Sequence, residues 1–513
     1  MMGTLVSQPC RTDRFAPLVE ELLPTPEPWD VFRRLCALPH LLFLDSAGRH
    51  SGTSRYSFIT ADPFDFIEAR GTTVCDRTGV TRANPFAVLA RRLAELREGE
   101  APAEPRTLDR PDARTARREP RPPTGNAALP PFQGGAAGLF GYDLCHHLER
   151  LPRPALDDFA VPDMAVGFYD WVVSFDHETG RAWLVSTGLP EAESRRRQRR
   201  AWKRLEEVKR RLEGAVTLPA STKCAPPLPA PLGWELPGLP GVLSNFTQEK
   251  YLETVRRAIE YVHAGDCFQV NIAQRLLQRA TMPPWELYER LRRLNPAPFA
   301  GYFDLGDFVI ASASPERFLR VHKGDKGEVE TCPIKGTRPR DANPDRDRVL
   351  RDELSHSVKD RAENVMIVDL LRNDLGRVCA YGSVRVADVC RLESHPYVHH
   401  LVSEVRGTLR PGLGPVDLLK AAFPGGSVTG APKIRAMEII AELEPTARGP
   451  YCGALGYIGF DGAMDSNLLI RTFVAGRGWL QFCVGGGIVA DSDPEREYQE
   501  TWHKAKGLLR ALE

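Results

Sequence analysis

The sequence is short of every feature that would send a chain out of the cell, into a membrane or onto nucleic acid. Its eleven cysteines include no Cys-x-x-Cys pair and no Cys/His zinc spacing, which excludes a disulfide framework and structural zinc and points to a reducing compartment. No apolar run reaches membrane-spanning length. The first residues lack an apolar segment with basic flanks, so no signal peptide is expected. A net charge of +1 gives no field for holding nucleic acid or a membrane surface. A phosphate-gripping loop is missing too. Gly425 and Gly430 have the spacing, but Ala431-Pro432-Lys433 follows where Lys-Ser/Thr is required, which argues against an ATPase or GTPase. What remains is a soluble, cytoplasmic chain whose 513 residues suffice for two or three domains or one large enzyme.

Phe43-Leu44-Asp45-Ser46 and Ser54 to Ile59 predict strands around a polar turn, Gly48 to Thr53. Asn84-Pro85 opens a helix in which Phe86, Leu89, Leu93 and Leu96 recur at helical spacing. Residues 99–130, rich in Pro, Arg, Ala and acidic residues without periodicity, predict a disordered insertion. The glycines from Gly134 to Gly141 predict a strand packed closely on a backbone or a ligand. Val166 to Val173 and Ala182 to Val185 predict the two strands of a hairpin. Glu191 to Glu213 is a basic helix whose arginines are expected on a solvated face. Residues 216–243, Pro-rich and aperiodic, divide an N-terminal region (1–215) from a second half (244–513). In that half a helix from Gln248 to His263 precedes a strand from Cys267 to Leu277, with Gln269, Asn271 and Arg275 on one face. Further strands deliver Glu316 and Lys335, and Asn467 to Val474 is expected to be a strand carrying Arg471. Asp493-Pro494 caps and opens a C-terminal helix.

The polar groups of the second half point to one chemistry. Asp360 and Glu363, and again Glu497 and Glu500, are i, i+3 pairs that share a helix face. Two helices presenting carboxylates suit Mg²⁺, which takes oxygen ligands, one or two of them protein carboxylates, and leaves the rest to water or substrate. Glu363 and Glu500 are the expected ligands, with Asp360 and Glu497 nearby. For either pair taken alone, a surface salt bridge is the alternative. Gly485-Gly486-Gly487 predicts a nest of backbone N–H groups for an anion, and Arg471 a bidentate fork for a carboxylate. The expected ligand is small and multiply anionic.

Longer motifs carry a family resemblance. Pro333-Ile334-Lys335-Gly336-Thr337, Asp360 to Asn364 with Leu370 to Gly376, Gly426-Ser427-Val428-Thr429-Gly430-Ala431-Pro432-Lys433, and Gly485 to Ser492 together resemble the chorismate-utilising enzymes. The resemblance is strong from Asn245 to Lys506. It is weaker from Leu44 to Val185, through Ser54-Arg55-Tyr56-Ser57 and Gly134-Gly135. The family includes the large subunits of anthranilate synthase and aminodeoxychorismate synthase and the isochorismate and salicylate synthases. It implies an α+β fold, two antiparallel β-sheets packed face to face with surrounding helices. Chorismate is a dicarboxylate, in keeping with the ligand expected above.

Lysine at 335 resembles the aminodeoxychorismate synthases, where anthranilate synthases have alanine. Isochorismate and salicylate synthases carry a water-activating lysine where this chain has Gln269. The resemblance implies that Lys335 attacks C2 of chorismate, that Glu316 protonates the departing C4 hydroxyl, and that ammonia enters at C4. It also implies that His400 contacts the substrate ring, although a hydrogen-bonded core histidine is the alternative. Arg471 and Tyr457 are implied to hold the enolpyruvyl carboxylate, with Gln269, Thr429, Gly485, Gly486 and Gly487 lining the site. The chain has no Gly-x-Cys-x-Gly elbow with a downstream histidine, so a separate glutamine amidotransferase subunit is expected to supply ammonia, and another enzyme to release 4-aminobenzoate for folate synthesis. Anthranilate synthase is the alternative enzyme. A degenerate amino-acid-binding regulator is the alternative of another class, and it requires a broken site where none of the expected residues is missing.

Overall fold

A computed structural model of the chain describes residues 16–48, 54–98, 129–219, 228, 231–322, 324, 327–394 and 398–513. The expected insertion falls outside these up to residue 128, as do residues 49–53 of the expected turn. Helices start where a side chain takes up N–H groups left free in the first turn. Asn84 accepts from Phe86 N–H at 3.0 Å ahead of Pro85–Glu98, and Thr247 from Lys250 N–H at 3.2 Å ahead of Gln248–His263. Ser357 accepts from Asp360 N–H at 3.2 Å ahead of Val358–Gly376, and Asp493 from Arg496 N–H at 2.9 Å ahead of Pro494–Leu512. None of the helices among the described residues is long and apolar enough to cross a membrane.

The strands form two antiparallel sheets, one of thirteen strands and one of twelve. Phe58, Val172, Phe303 and Ile310 from the larger sheet meet Leu139, Ala165 and Leu455 from the smaller in one apolar layer. The other face of the larger sheet packs Val31, Leu205, Leu287 and Leu508 from helices, and that of the smaller packs Phe86, Leu89, Ile367 and Leu371. The fold is α+β, two sheets face to face with helices outside. Because strands are buried on both faces, they read as continuous apolar runs. Trp171, Val173 and Phe175 point to the helices while Val172, between them, points to the other sheet.

That double burial hides the places where the chain changes sheet. The single strand expected from Val166 to Val173 is two: Met164–Tyr169 belongs to the smaller sheet and Trp171–Asp176 to the larger. Asp170 between them is fully buried. Its carboxylate receives Arg200 Nε at 3.1 Å and Arg204 Nε at 3.3 Å, so the basic helix, Ser194–Glu213, spends part of its charge inside, as a buried carboxylate requires. Asn467 to Val474 likewise divides into Met464–Leu468 in the smaller sheet and Thr472–Gly476 in the larger. A third change runs from Phe308–Ser314 to Arg317–Val321.

The Pro-rich stretch 216–243 divides the chain in sequence, but it contributes strands Trp234–Leu236 and Leu239–Ser244 to the edge of the larger sheet. Each sheet also combines strands from either side of it. Leu42–Asp45 pairs with Phe299–Asp304, and Gly135–Phe140 with Ala454–Gly459.

Close backbone approach explains the glycines of Gly135–Phe140. Gly138 has φ +152°, and a Cβ there would run into the Ala165 carbonyl and stand 3.0 Å from a Phe303 ring carbon. Gly138→Ala is therefore expected to cost about 2 kcal/mol or more from strain and overpacking, read as a lower midpoint in urea unfolding. An unchanged midpoint would show that the sheets have room to give.

Candidate active site

Two of the sheet changes run side by side. Leu468 N–H donates to the Glu316 carbonyl at 3.1 Å, Ala313 N–H to the Arg471 carbonyl at 3.1 Å, and Ser314 Oγ to the Leu468 carbonyl at 2.6 Å. Glu316 and Arg471 thus sit on neighbouring links rather than on strands. Arg471, expected on a strand, has φ +52°, a left-handed conformation uncommon outside glycine. Its guanidinium makes no side-chain hydrogen bond or ion pair with any described residue, and burial alone pushes its pKa down. An unpaired cation in such a place calls for an anion from outside.

Glu316 is buried, and its Oε1 accepts from Ser427 Oγ at 2.7 Å. Burial pushes its carboxyl up to about 7, against the Ser427 hydrogen bond, the Lys335 charge and the Ile334 N–H. Near neutrality it holds its proton about half the time.

Lys335 lies on Ile334–Pro339. Lys335 pairs with Leu401 and Thr337 with His400, so Gly336 between them is a bulge, with φ +81°. A Cβ at Gly336 would come within 2.9 Å of the Asp360 Cβ. Glycine therefore lets Val358–Gly376 close on the strand while the bulge re-aims Lys335. The Lys335 ammonium has no hydrogen bond or ion pair among the described residues. Burial lowers its pKa and Lys504 adds to this, while Glu363, Glu316 and Glu500 oppose.

Asn364 pins Val358–Gly376, donating to the Leu401 carbonyl at 3.2 Å and accepting from Ser403 Oγ. The neighbouring Glu363 is partly buried without a hydrogen bond or ion pair among the described residues. Burial raises its pKa, although Lys335 and Lys359 pull it down. Thr501 anchors the C-terminal helix to Gln269–Arg279 by accepting from Gln274 Nε2 at 2.7 Å. Glu500, beside it, is 2.6 Å from Lys504 Nζ. Burial opposes its ionisation, but Lys504, Lys335 and Lys359 together hold its pKa below the usual range. Burial raises Glu497, whose Oε1 accepts from Ser492 Oγ at 2.7 Å. Asp360 is paired with Arg338 at 3.1 Å.

The expected glycine nest is not formed. Gly485, Gly486 and Gly487 are extended residues of Trp479–Ile488, paired with Ala273, Ile272 and Asn271. Their contribution is absent side chains. A Cβ at Gly486 would stand 3.2 Å from Glu497 Oε2 and 3.7 Å from Glu500 Oε1, and one at Gly487 would stand 2.7 Å from Gln269 Nε2. The carboxylates fit a Mg²⁺ ion in number and kind. Among the described residues no three His, Cys, Asp or Glu side chains form a closed metal cage. Glu363, unpaired among the described residues, and Glu500, paired with Lys504, are carboxylates of the kind that Mg²⁺ takes one or two of alongside water and substrate.

Gln269 is fully buried with neither amide atom hydrogen-bonded, an orphan pair that calls for a ligand or water. His400 is buried with Nδ1 2.9 Å from Thr337 Oγ1. Thr429 turns its hydroxyl onto its own loop, donating to the Gly425 carbonyl at 2.9 Å. Tyr457, expected beside Arg471, instead fills the layer between the sheets. Its ring stacks on Phe132 at 4.4 Å, and the charged groups facing it are Asp465, Arg320, Asp461 and Arg317. Tyr451 precedes Cys452 in a turn. The next residue, Cys452, donates its N–H to Leu469, two residues before Arg471, and its thiol faces Glu316. Ser427, Lys359 and Lys504 were also not singled out. Lys504 was legible as the i+4 partner of Glu500.

Comparison with known proteins gives the family. Residues 77–510 match the chorismate binding enzyme family. The chain is 42% identical over 480 residues to an aminodeoxychorismate synthase component 1 from Salmonella typhimurium, covering 93% of this chain and 94% of that one. It is 47% identical over 385 residues to an anthranilate synthase component 1 from Thermus thermophilus, covering 75% and 79%. The crystal structure of anthranilate synthase component I from Streptococcus pneumoniae superposes with a TM-score of 0.70 at 30% identity, covering 90% of this chain and 93% of that one.

Arg471→Met removes an unpaired charge from a partly buried place, so the unfolding midpoint is expected to stay level or rise. Binding of chorismate, followed by calorimetry, is expected to weaken by at least ~30-fold through the lost charged hydrogen bonds. A clearly lowered midpoint would mean that the fold itself holds the guanidinium.

Proposed function

This chain belongs to the chorismate binding enzymes, a chorismate-utilising family, and from that premise we propose that it converts chorismate and ammonia to 4-amino-4-deoxychorismate. The observation that carries this is a partly buried lysine with a lowered pKa facing a buried glutamic acid whose pKa is about 7. An amine nucleophile must be neutral and a general acid must hold a proton near the working pH. Burial moves both groups in the required directions.

Neutral Lys335 Nζ attacks C2 of chorismate, the ring double bonds shift, and the C4–O bond breaks. The hydroxyl leaves as water with the proton of Glu316. Ammonia then adds at C4, the double bonds shift back, and the C2–N bond breaks, returning its electron pair to Lys335. The ammonium formed at C4 gives a proton to the Glu316 carboxylate, which restores the acid. Arg471 grips the enolpyruvyl carboxylate and His400, steadied by Thr337, lies against the ring. Mg²⁺, held by Glu363 and Glu500, supplies positive charge to the ring carboxylate when bound. Gln269 supports ammonia rather than water as the entering group, because an amide is not basic enough to activate water.

Ammonia comes from a separate glutamine amidotransferase subunit, in the cytoplasm, and the product feeds 4-aminobenzoate and folate synthesis. Anthranilate synthase is the second reading, favoured by the similarity to the Thermus enzyme. Lys335 speaks against it, because direct attack of ammonia at C2 needs no lysine there.

Incubating the isolated chain with chorismate, MgCl₂ and ammonium chloride is expected to yield 4-amino-4-deoxychorismate, resolved by liquid chromatography. Anthranilate as the main product would establish the second reading instead. Glutamine in place of ammonium is expected to give nothing until a glutaminase is added. Glutamine hydrolysis by the chain alone would contradict the partner subunit.

A further inference from the structure

The turn Gly425 to Thr429 is tied down beyond what joining two elements requires. Three successive carbonyls are held from the same side. Asn271 Nδ2 donates to Ser427 O at 2.9 Å, Arg448 Nη1 to Val428 O at 3.0 Å, and Asn271 N–H to Thr429 O at 2.8 Å. Arg448 is buried, and its other N–H groups go to Glu444, at 2.9 and 2.6 Å, and to the Asn271 carbonyl at 2.9 Å. Glu444 also accepts from Ala273 N–H at 2.9 Å. Inside the turn, Thr429 Oγ1 closes on the Gly425 carbonyl at 2.9 Å. A backbone so fully bonded is fixed relative to the strand Gln269–Arg279. The one side-chain donor it presents to an ionisable group is Ser427 Oγ, 2.7 Å from Glu316 Oε1.

We propose that Ser427 is a positioning residue for Glu316, presented by this clamped turn, and that its hydroxyl commits Oε1 as an acceptor so that Oε2 carries the transferable proton. This rests on the reading of Glu316 as the acid. A hydroxyl on Oε1 restrains rotation of the carboxyl group, so the proton stays aimed in one direction. It also stabilises the carboxylate left after transfer. The other groups facing Glu316 are the Lys335 ammonium and the Ile334 N–H, which favour the carboxylate, and the Cys452 thiol, which burial pushes up to about 12 and which is neutral near pH 7. Coupling of Glu316 to Lys335 is common to wild type and variant, so the difference between them reads the hydroxyl.

The test is Ser427→Ala, with Ser427→Thr as the variant that keeps a hydroxyl. Titration of the Glu316 carboxyl is followed by infrared difference spectroscopy against Glu316→Gln. In the alanine variant the midpoint is expected to rise by about one unit or more, since a hydrogen bond to the charged form is lost. Threonine is expected to return it toward wild type. The alkaline limb of kcat against pH, set by loss of the acid proton, is expected to move up with it. An unmoved infrared midpoint in Ser427→Ala would overturn the proposal. A midpoint that moves while the activity limb stays would sustain Ser427 as the partner of Glu316 and reject Glu316 as the acid.

Discussion

The site depends on two chain segments that change sheet side by side. A strand within the sandwich is buried on both faces and hydrogen-bonded along both edges, so it has no place for an ionisable group awaiting a ligand. A link between sheets is different: it is buried but free of the ladder. The links at 315–316 and 469–471 are bonded to each other through Leu468 to Glu316 and Ala313 to Arg471. A buried acid and a partly buried cation are thereby placed on neighbouring links by backbone geometry alone. The link at Asp170 follows the same rule with a different outcome, because Arg200 and Arg204 satisfy its charge.

Around these links the charges are arranged so that burial does the tuning. Burial drives Lys335 toward its neutral form and Glu316 toward its protonated form. The two are coupled, and each favours the charged state of the other. What prevents a closed ion pair is placement: the bulge at Gly336 aims Lys335 among Glu316, Glu363 and Glu500 rather than onto any one of them. Lys359 and Lys504 keep the carboxylates of the two helices from repelling one another outright. The glycines of Trp479–Ile488 leave that space open.

The α+β class and the helix starts were legible in the sequence, and so were the buried or partly buried polar groups Glu316, Lys335, Gln269 and Arg471. Caps and apolar spacing marked the helices, and the i, i+3 carboxylates stood out because each pair shares one helix face. Two of the failures share one cause. Val166 to Val173 and Asn467 to Val474 each read as one strand because double burial makes both halves apolar. The only mark of the break is a lone charged residue, Asp170 or Arg471. The glycine triplet suggested a nest by composition, whereas its pairing with Gln269–Arg279 is a long-range fact that no local pattern carries. Tyr457 lies on Ala454–Gly459, and only the alternation of that strand sends it into the layer between the sheets.

The central claim is that Lys335 forms a bond to the substrate, and intact mass measurement tests it most directly. Chorismate with MgCl₂ and no ammonia is expected to leave an adduct of chorismate less water on the chain. Peptide mapping should place it on Lys335, Lys335→Ala should abolish it, and added ammonium chloride should discharge it. No adduct in the wild-type chain under conditions where ammonium supports turnover, or an adduct that persists in Lys335→Ala, would contradict the account.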